Sequence, residues 1–343
     1  MKWEGWEDGS LKGESDISYD GFVNEWLVRL KLAEGLFTSY GRENLQWGPS
    51  FLLSPSNPFF RDNGRSNPKR EIPGMDFARL IWMPSSSWTV SFIANVDKGR
   101  QEFLYEFEPT YALKLDYTAD RKYISLIGSY QRKHRGSLGT FAGWTVSDAF
   151  LLYGEGALSQ GTNALYPTRD LTVPLGMKMS PIKEDDTSLE GIFLVGGSYT
   201  LRAGPTLTLE YLFNSAGYSE KEAELYYELR RQASQAFFSP IQDLRNLSCQ
   251  TLSQTLDPKL RLLRKNYVML QYQQSQIWNV LNLIFRYTFN LDDQSSQFNP
   301  IVEYDLGKHF QLFLIGALNF GSKDTEFRSL EKYRCHVGLE FTL

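Results

Sequence analysis

The sequence predicts an all-β chain, a transmembrane antiparallel up-and-down β-barrel of about 16 strands with a helical loop near 220–236. Three observations predict it. Apolar and polar residues alternate with a period of two along the chain. The alternating stretches run to about 8–12 residues, longer than soluble strands and close to the ~9–11 that a tilted strand needs to cross a bilayer. Their connections alternate short and long, as in barrels with short periplasmic turns and longer extracellular loops. All 343 residues are read as one transmembrane domain, 1–343.

The first candidate strand, 2–8, is poorly patterned. In 25–34, Trp26, Val28, Leu30 and Leu32 alternate with Glu25, Leu27, Arg29 and Lys31. Past a tight link at Ala33-Glu34-Gly35, the strand 36–46 ends at Trp47-Gly48-Pro49, where glycine and proline turn the chain sharply. The loop 47–76 carries Arg61, Arg65, Lys69 and Arg70 against Asp62 and Glu71. It is either an inward-folding constriction or an exposed basic loop. Strands follow at 77–83 and 87–96, then at 102–117, where Phe103, Tyr105 and Phe107 oppose Glu102 and Glu106. Those at 121–132, 138–146 and 150–158 are separated by tight links at 119–120 and 147–149 on one side and by 133–137 on the other. Beyond the long link 159–190, strands are expected at 191–202 and 206–214, the second setting Leu207, Leu209, Tyr211 and Phe213 against Thr206, Thr208 and Glu210.

The connection 215–265 breaks the pattern. Ser219-Glu220-Lys221-Glu222 reads as a capping box, and Ala223, Tyr226, Leu229, Ala233 and Phe237 recur at helical spacing. The helix is a lid or partial plug, or else a solvated loop helix. Asp257-Pro258 marks the return to strands at 266–275, 279–289, 298–306, 309–320 and 333–342. Leu281, Leu283, Phe285, Tyr287 and Phe289 there oppose Asn282, Arg286, Thr288 and Asn290, with Ile284 the exception. The last strand sets Tyr333, Cys335, Val337, Leu339, Phe341 and Leu343 against Arg334, His336, Gly338, Glu340 and Thr342. Aromatic residues flank both strand ends: Trp82, Trp88, Tyr117, Trp144, Phe150, Trp278 and Phe310 beside short turns, and Trp47, Phe213, Phe289, Phe320 and Tyr333 opposite. Such belts lie at the two bilayer interfaces.

Other classes are set aside on composition and motif. No run of ~18 apolar residues offers a membrane-spanning helix. A formal charge of -4 gives no electrostatic case for nucleic acid. Cys249 and Cys335 are expected to be free thiols, and His134, His309 and His336 stand at no metal-ligand spacing. No catalytic motif is present, so no enzyme, metal or cofactor is expected. Met1-Lys2-Trp3-Glu4 opens no secretory signal; this fits a mature numbering or a missing start as well as a cytoplasmic chain.

The closing residues His336, Gly338, Phe341 and Leu343 resemble the C-terminal β-signal of bacterial outer-membrane proteins, with a final Leu where Phe or Trp is usual. That resemblance implies insertion into outer-membrane lipid by the barrel-assembly machinery. A second segment, Tyr40-Gly41-Arg42 through Trp47-Gly48-Pro49, Ser54-Pro55-Ser56-Asn57-Pro58 and Pro73-Gly74-Met75-Asp76 with Arg79, is similar to porin-like export and capsule-assembly barrels. It implies passage of a polar solute or a polysaccharide.

Charges cannot face lipid cheaply, since Lys or Arg at the midplane costs ~2–4 kcal/mol. Arg29, Lys31, Arg42, Arg79, Lys114, Arg286 and Arg334 are therefore placed on inner faces with Glu102, Glu106, Glu155, Glu210, Glu303 and Asp305. Arg29, Arg42 and Arg79 are expected to form a basic ladder on one wall, opposed by Glu102 and Glu106, giving the transverse field of a constriction. A polar lumen of this kind suits an outer-membrane pore for polar or anionic solutes. The alternative is a non-conducting surface scaffold holding a polysaccharide or a partner protein.

Overall fold

Strands are the form this chain takes because its apolar residues fall on one side of a pleat, and only a sheet with a lipid-facing side can use them. The computed structural model describes residues 2–6, 18–60, 64, 65, 69, 72–101, 107–131, 135–181 and 188–342. A side hairpin, β1 (Lys2–Trp6) and β2 (Ser18–Phe22), comes first. The wall then runs β3 (Trp26–Ala33), β4 (Leu36–Glu43), β5 (Met75–Ser85), β6 (Trp88–Asp97), β7 (Thr110–Ala119), β8 (Lys122–Gln131), β9 (Arg135–Ser147) and β10 (Phe150–Gln160). A second side hairpin, β11 (Leu165–Arg169) and β12 (Met177–Pro181), precedes β13 (Leu189–Thr200) and β14 (Thr206–Asn214). Two helices, α1 (Glu220–Ala236) and α2 (Gln242–Leu256), lead to β15 (Asn266–Ile277), β16 (Leu281–Asn290), β17 (Ser296–Leu306), β18 (Phe310–Phe320) and β19 (Tyr333–Phe341).

Among the described residues the wall is one sheet of 15 antiparallel strands in sequence order, from β3 to β19. This agrees with the expected up-and-down barrel of about 16 strands. The poorly patterned first segment pairs with 18–22 outside the wall instead of joining it. The strand expected at 102–117 starts only at Thr110, and Glu102, Phe103, Tyr105 and Glu106 lie outside the described residues, as do Arg61, Asp62, Arg70, Glu71, His134 and Leu343.

The wall is apolar on the outside. Leu113, Leu138 and Leu209 are more than half exposed, whereas the charged Glu155 and Glu210 are buried on the inside, the inverse of a soluble protein. Trp82, Trp88, Trp144 and Trp278 stand exposed beside the short links, and Phe320 and Tyr333 at the opposite ends, so two belts are present. Trp47 departs from this expectation. It turns inward beneath the following loop, edge-on to Phe59 with ring centroids 5.9 Å apart.

The capping box is formed as expected. Ser219 N–H donates to Glu222 Oε2 at 2.7 Å and Glu222 N–H to Ser219 Oγ at 3.5 Å. α1 is not solvated all round: Tyr226, Leu229 and Ala233 pack with Tyr166, Met177 and Met179 of β11 and β12 in one buried cluster at the long-loop end. α2 was not foreseen; its N-cap, Ile241, makes no side-chain cap bond, so the sequence carries no start signal there. Cys249 and Cys335 are both free and exposed.

Candidate constriction in the barrel lumen

The loop between β4 and β5 folds into the barrel in its described residues, 44–60, 64, 65, 69 and 72–74. Its first turn is made by Gly48 at φ 85°, with Pro49 next. A side chain there would collide with the Glu155 carboxylate, which a Cβ would approach to 2.4 Å. The glycine therefore lets the backbone lie against the wall. Two inward carboxylates then receive the loop. Glu155 of β10 accepts from Ser50 Oγ at 2.5 Å and from Ser56 Oγ at 2.7 Å. Glu210 of β14 accepts from the Phe51 and Leu52 amides at 2.7 and 3.0 Å, and from Tyr153 OH at 2.7 Å. A buried carboxylate is tolerated only when its oxygens are satisfied, and here the loop supplies much of that satisfaction.

Apolar side chains of the loop pack into the space so defined. Leu52 and Leu53 join Leu194, Leu212 and Met269 of the wall; Phe60 joins Phe77, Ile93 and Ile127. The loop also reaches the far wall. Arg286 of β16 donates to the Arg65 carbonyl at 2.8 Å while two of its nitrogens bond Gln271 Oε1 at 3.0 and 2.7 Å. Lys69 pairs with Glu340 at 2.7 Å and Glu303 at 3.4 Å, bonds Gln311, and stands 5.5 Å from the Phe313 ring. Opposite that ring, Gly338 has no room for a Cβ.

The expected site residues are distributed as follows. Arg29, Ser39 and Arg79 form one cross-strand row on the inner face. Arg79 bonds Glu43 at 2.9 Å and Ser39 Oγ at 3.2 Å. Lys31 shares that face and is exposed. Arg42 does not belong to the ladder. It stands on the opposite pleat face with Tyr40 and pairs with Asp76 at 2.7 and 3.2 Å. The next-to-last residue of β4 lies at the long-loop end, where Arg42 meets Gly74 and Gly99 instead of hydrocarbon. Lys114 pairs with Asp116 on the inner face. Of the candidate signal, His336 lines the lumen and Phe341 is exposed on the outside. Glu155 and Glu210, placed on inner faces by parity, emerge as the anchors of the loop. The hydroxyl run Ser50, Ser54 and Ser56 was the available hint.

The loop leaves polar cavities on both sides. One, of about 420 Å³, is lined by amides and hydroxyls such as Ser129, Gln131, Ser137, Asn163 and Asn214. The other, of about 750 Å³, is lined by Arg286, Gln297, Asn299, Asn319, Arg334 and His336. Arg261 and Leu262 border both.

No protein-family model matches the chain. No curated protein sequence matches it either. Solved structures do. The chain is similar to the outer membrane protein OprD of Pseudomonas aeruginosa, at 10% identity over 95% of this chain and 80% of that one, with a TM-score of 0.55. It is similar to Acinetobacter baumannii OccAB1, at 11% identity over 90% and 73%, TM-score 0.54. A third is Pseudomonas aeruginosa OccK11, at 12% identity over 95% and 80%, TM-score 0.51. These likenesses give the fold, that of an outer-membrane β-barrel. The finer resemblance of residues 40–79 to export and capsule-assembly barrels gains no support from them.

Proposed function

We propose that the chain sits in a bacterial outer membrane and forms a water-filled channel for small polar solutes. The observation that carries this reading is the 44–74 loop, held across the lumen on opposite walls, with polar cavities on either side of it. A barrel of this strand number leaves an aqueous interior, and an inward loop makes that interior selective by size. Cavities of about 420 and 750 Å³ suit small molecules and not a polymer, which argues against a polysaccharide path. The larger cavity carries Arg261, Arg286, Arg334 and His336 against Glu326 and Glu331, and Arg29 stands beside the Arg79–Glu43 pair on the inner face of β3 and β5. A positive wall of this kind favours anionic solutes.

The test is planar-bilayer recording of the refolded protein. Discrete conductance steps with a reversal potential shifted toward anions are expected in a salt gradient. Complete insertion without ion current would leave a non-conducting scaffold barrel and end the channel reading.

A further inference from the structure

The outer wall carries a depression that the channel does not use. Across β7 to β13 one cross-strand row on the lipid side reads Tyr117, Ile124, Ala142, Gly154, Val195. The row nearer the short links reads Lys122, Trp144, Leu152, Gly197. Small residues in the middle and large ones around them open a groove of about 730 Å³, bounded by Ile124, Trp144, Leu152 and Val195. These four are each 40–54% exposed, so the walls of the groove stand out from the sheet. Its one charged lining residue is Lys122, the first residue of β8, at the end of the barrel where the links are short. Arg121 beside it offsets Asp120 in the same link.

We infer that this groove binds one phospholipid of the periplasmic leaflet, an acyl chain lying over Gly154 and the phosphate held by Lys122. The inference rests on the outer-membrane reading above. Charge and shape both select this occupant. The groove is apolar along its floor and walls and basic only where the head group would lie, the order of a phospholipid from tail to phosphate. Trp144 and Tyr117 flank that end, and such rings take the head-group level of a bilayer. A second copy of the barrel is a poorer fit. Its wall curves outward and would bridge a depression instead of filling it, leaving apolar surface without contacts.

Gly154 makes the idea testable without disturbing the sheet. A Cβ there meets only the Leu194 carbonyl, at 3.5 Å, and otherwise open space. Gly154→Phe therefore fills the groove from within. The experiment is native mass spectrometry of the full chain in detergent with phosphatidylglycerol added, or with diacylglycerol of the same chains. Wild type is expected to retain one phosphatidylglycerol per chain, and Gly154→Phe none. Lys122→Gln, an exposed change at a strand end, should lower retention on the order of fivefold, the attraction of one basic residue for an anionic head group. Diacylglycerol should be retained more weakly by a similar factor. Wild type that inserts and conducts yet retains no lipid overturns the site, as does retention unchanged in both variants. An oligomer that Gly154→Phe dissociates also overturns it, by giving the groove to a second copy. A chain that neither inserts nor conducts fails at the earlier step, on the membrane reading itself.

Discussion

At the scale of single residues, the long-loop end holds a carboxyl group under unusual pressure. Glu326, in the connection after β18, accepts from the Leu263 amide and from Asn290 Nδ2, each at 2.8 Å, and from Tyr267 OH. Crowding by protein, with Asp293 adding negative charge, pushes its pKa up from 4.5 to about 7. A pKa raised on folding favours the protonated form. The docking of this connection is therefore at full strength below about pH 4.5 and loses strength as pH rises through about 7. Amide-exchange protection of residues 321–332, corrected for the intrinsic rate, should fall between pH 5.5 and 8.5, and Glu326→Gln should flatten the profile. Equal protection across that range in the wild type would show that the carboxyl does not govern the docking. The neighbouring sequence gives no sign of this, because the three donors come from Leu263, Tyr267 and Asn290, which the pairing of β15 with β16 brings together.

At the scale of elements, the wall was legible and the interior was not. A one-residue slip would send every apolar side chain of a strand to the wrong face, so period and register carry strong information. Leu281 to Asn290 and Tyr333 to Phe341 are accordingly strands where expected, and the capping box at Ser219 fixed the start of α1. Nothing local says on which side of the wall a loop falls. The 44–74 loop enters the lumen because carboxylates more than 80 residues away need donors, a non-local cause. Arg42 shows the converse error: charge alone suggested an inner position, yet parity with Tyr40 put it outside, where Asp76 at the strand end satisfies it. The short hairpin of β11 and β12 lacks strand length and takes its place from packing on α1. If the inward carboxylates hold the loop, Glu210→Ala should free it. The change removes the acceptor of two amides and one hydroxyl, charge-assisted bonds of about 1.5–3 kcal/mol each. Glu155→Ala acts on Ser50 and Ser56 in the same way. Both variants should give larger and noisier single-channel conductance while staying folded in detergent. Conductance and noise unchanged in both would mean that the loop does not limit the passage.

For the whole molecule the deciding quantity is the apolar outer face. Exposed large residues such as Leu80, Phe92, Leu113, Leu126 and Leu138 recur on the outward pleat from strand to strand, and Leu312, Leu314 and Val337 continue it on β18 and β19. A soluble monomer rarely exposes a contiguous apolar patch beyond a few hundred Å², and a band running around most of a 15-stranded wall far exceeds that. In hydrocarbon the same band is solvated, and the backbone polar groups are already paired between neighbouring strands, which is what lipid demands of a spanning structure. The inner face needs no lipid: Glu155 and Glu210 are held by the loop, and Arg79 with Glu43 and Lys114 with Asp116 form pairs on it. The purified chain should therefore require detergent, give a β-type circular-dichroism spectrum, and migrate faster on cold sodium dodecyl sulfate gels than after boiling, because a hydrogen-bonded wall resists the detergent until it is heated. A monodisperse, stable chain in plain buffer, with no change of mobility on heating, would contradict the membrane assignment and with it both the channel and the lipid groove.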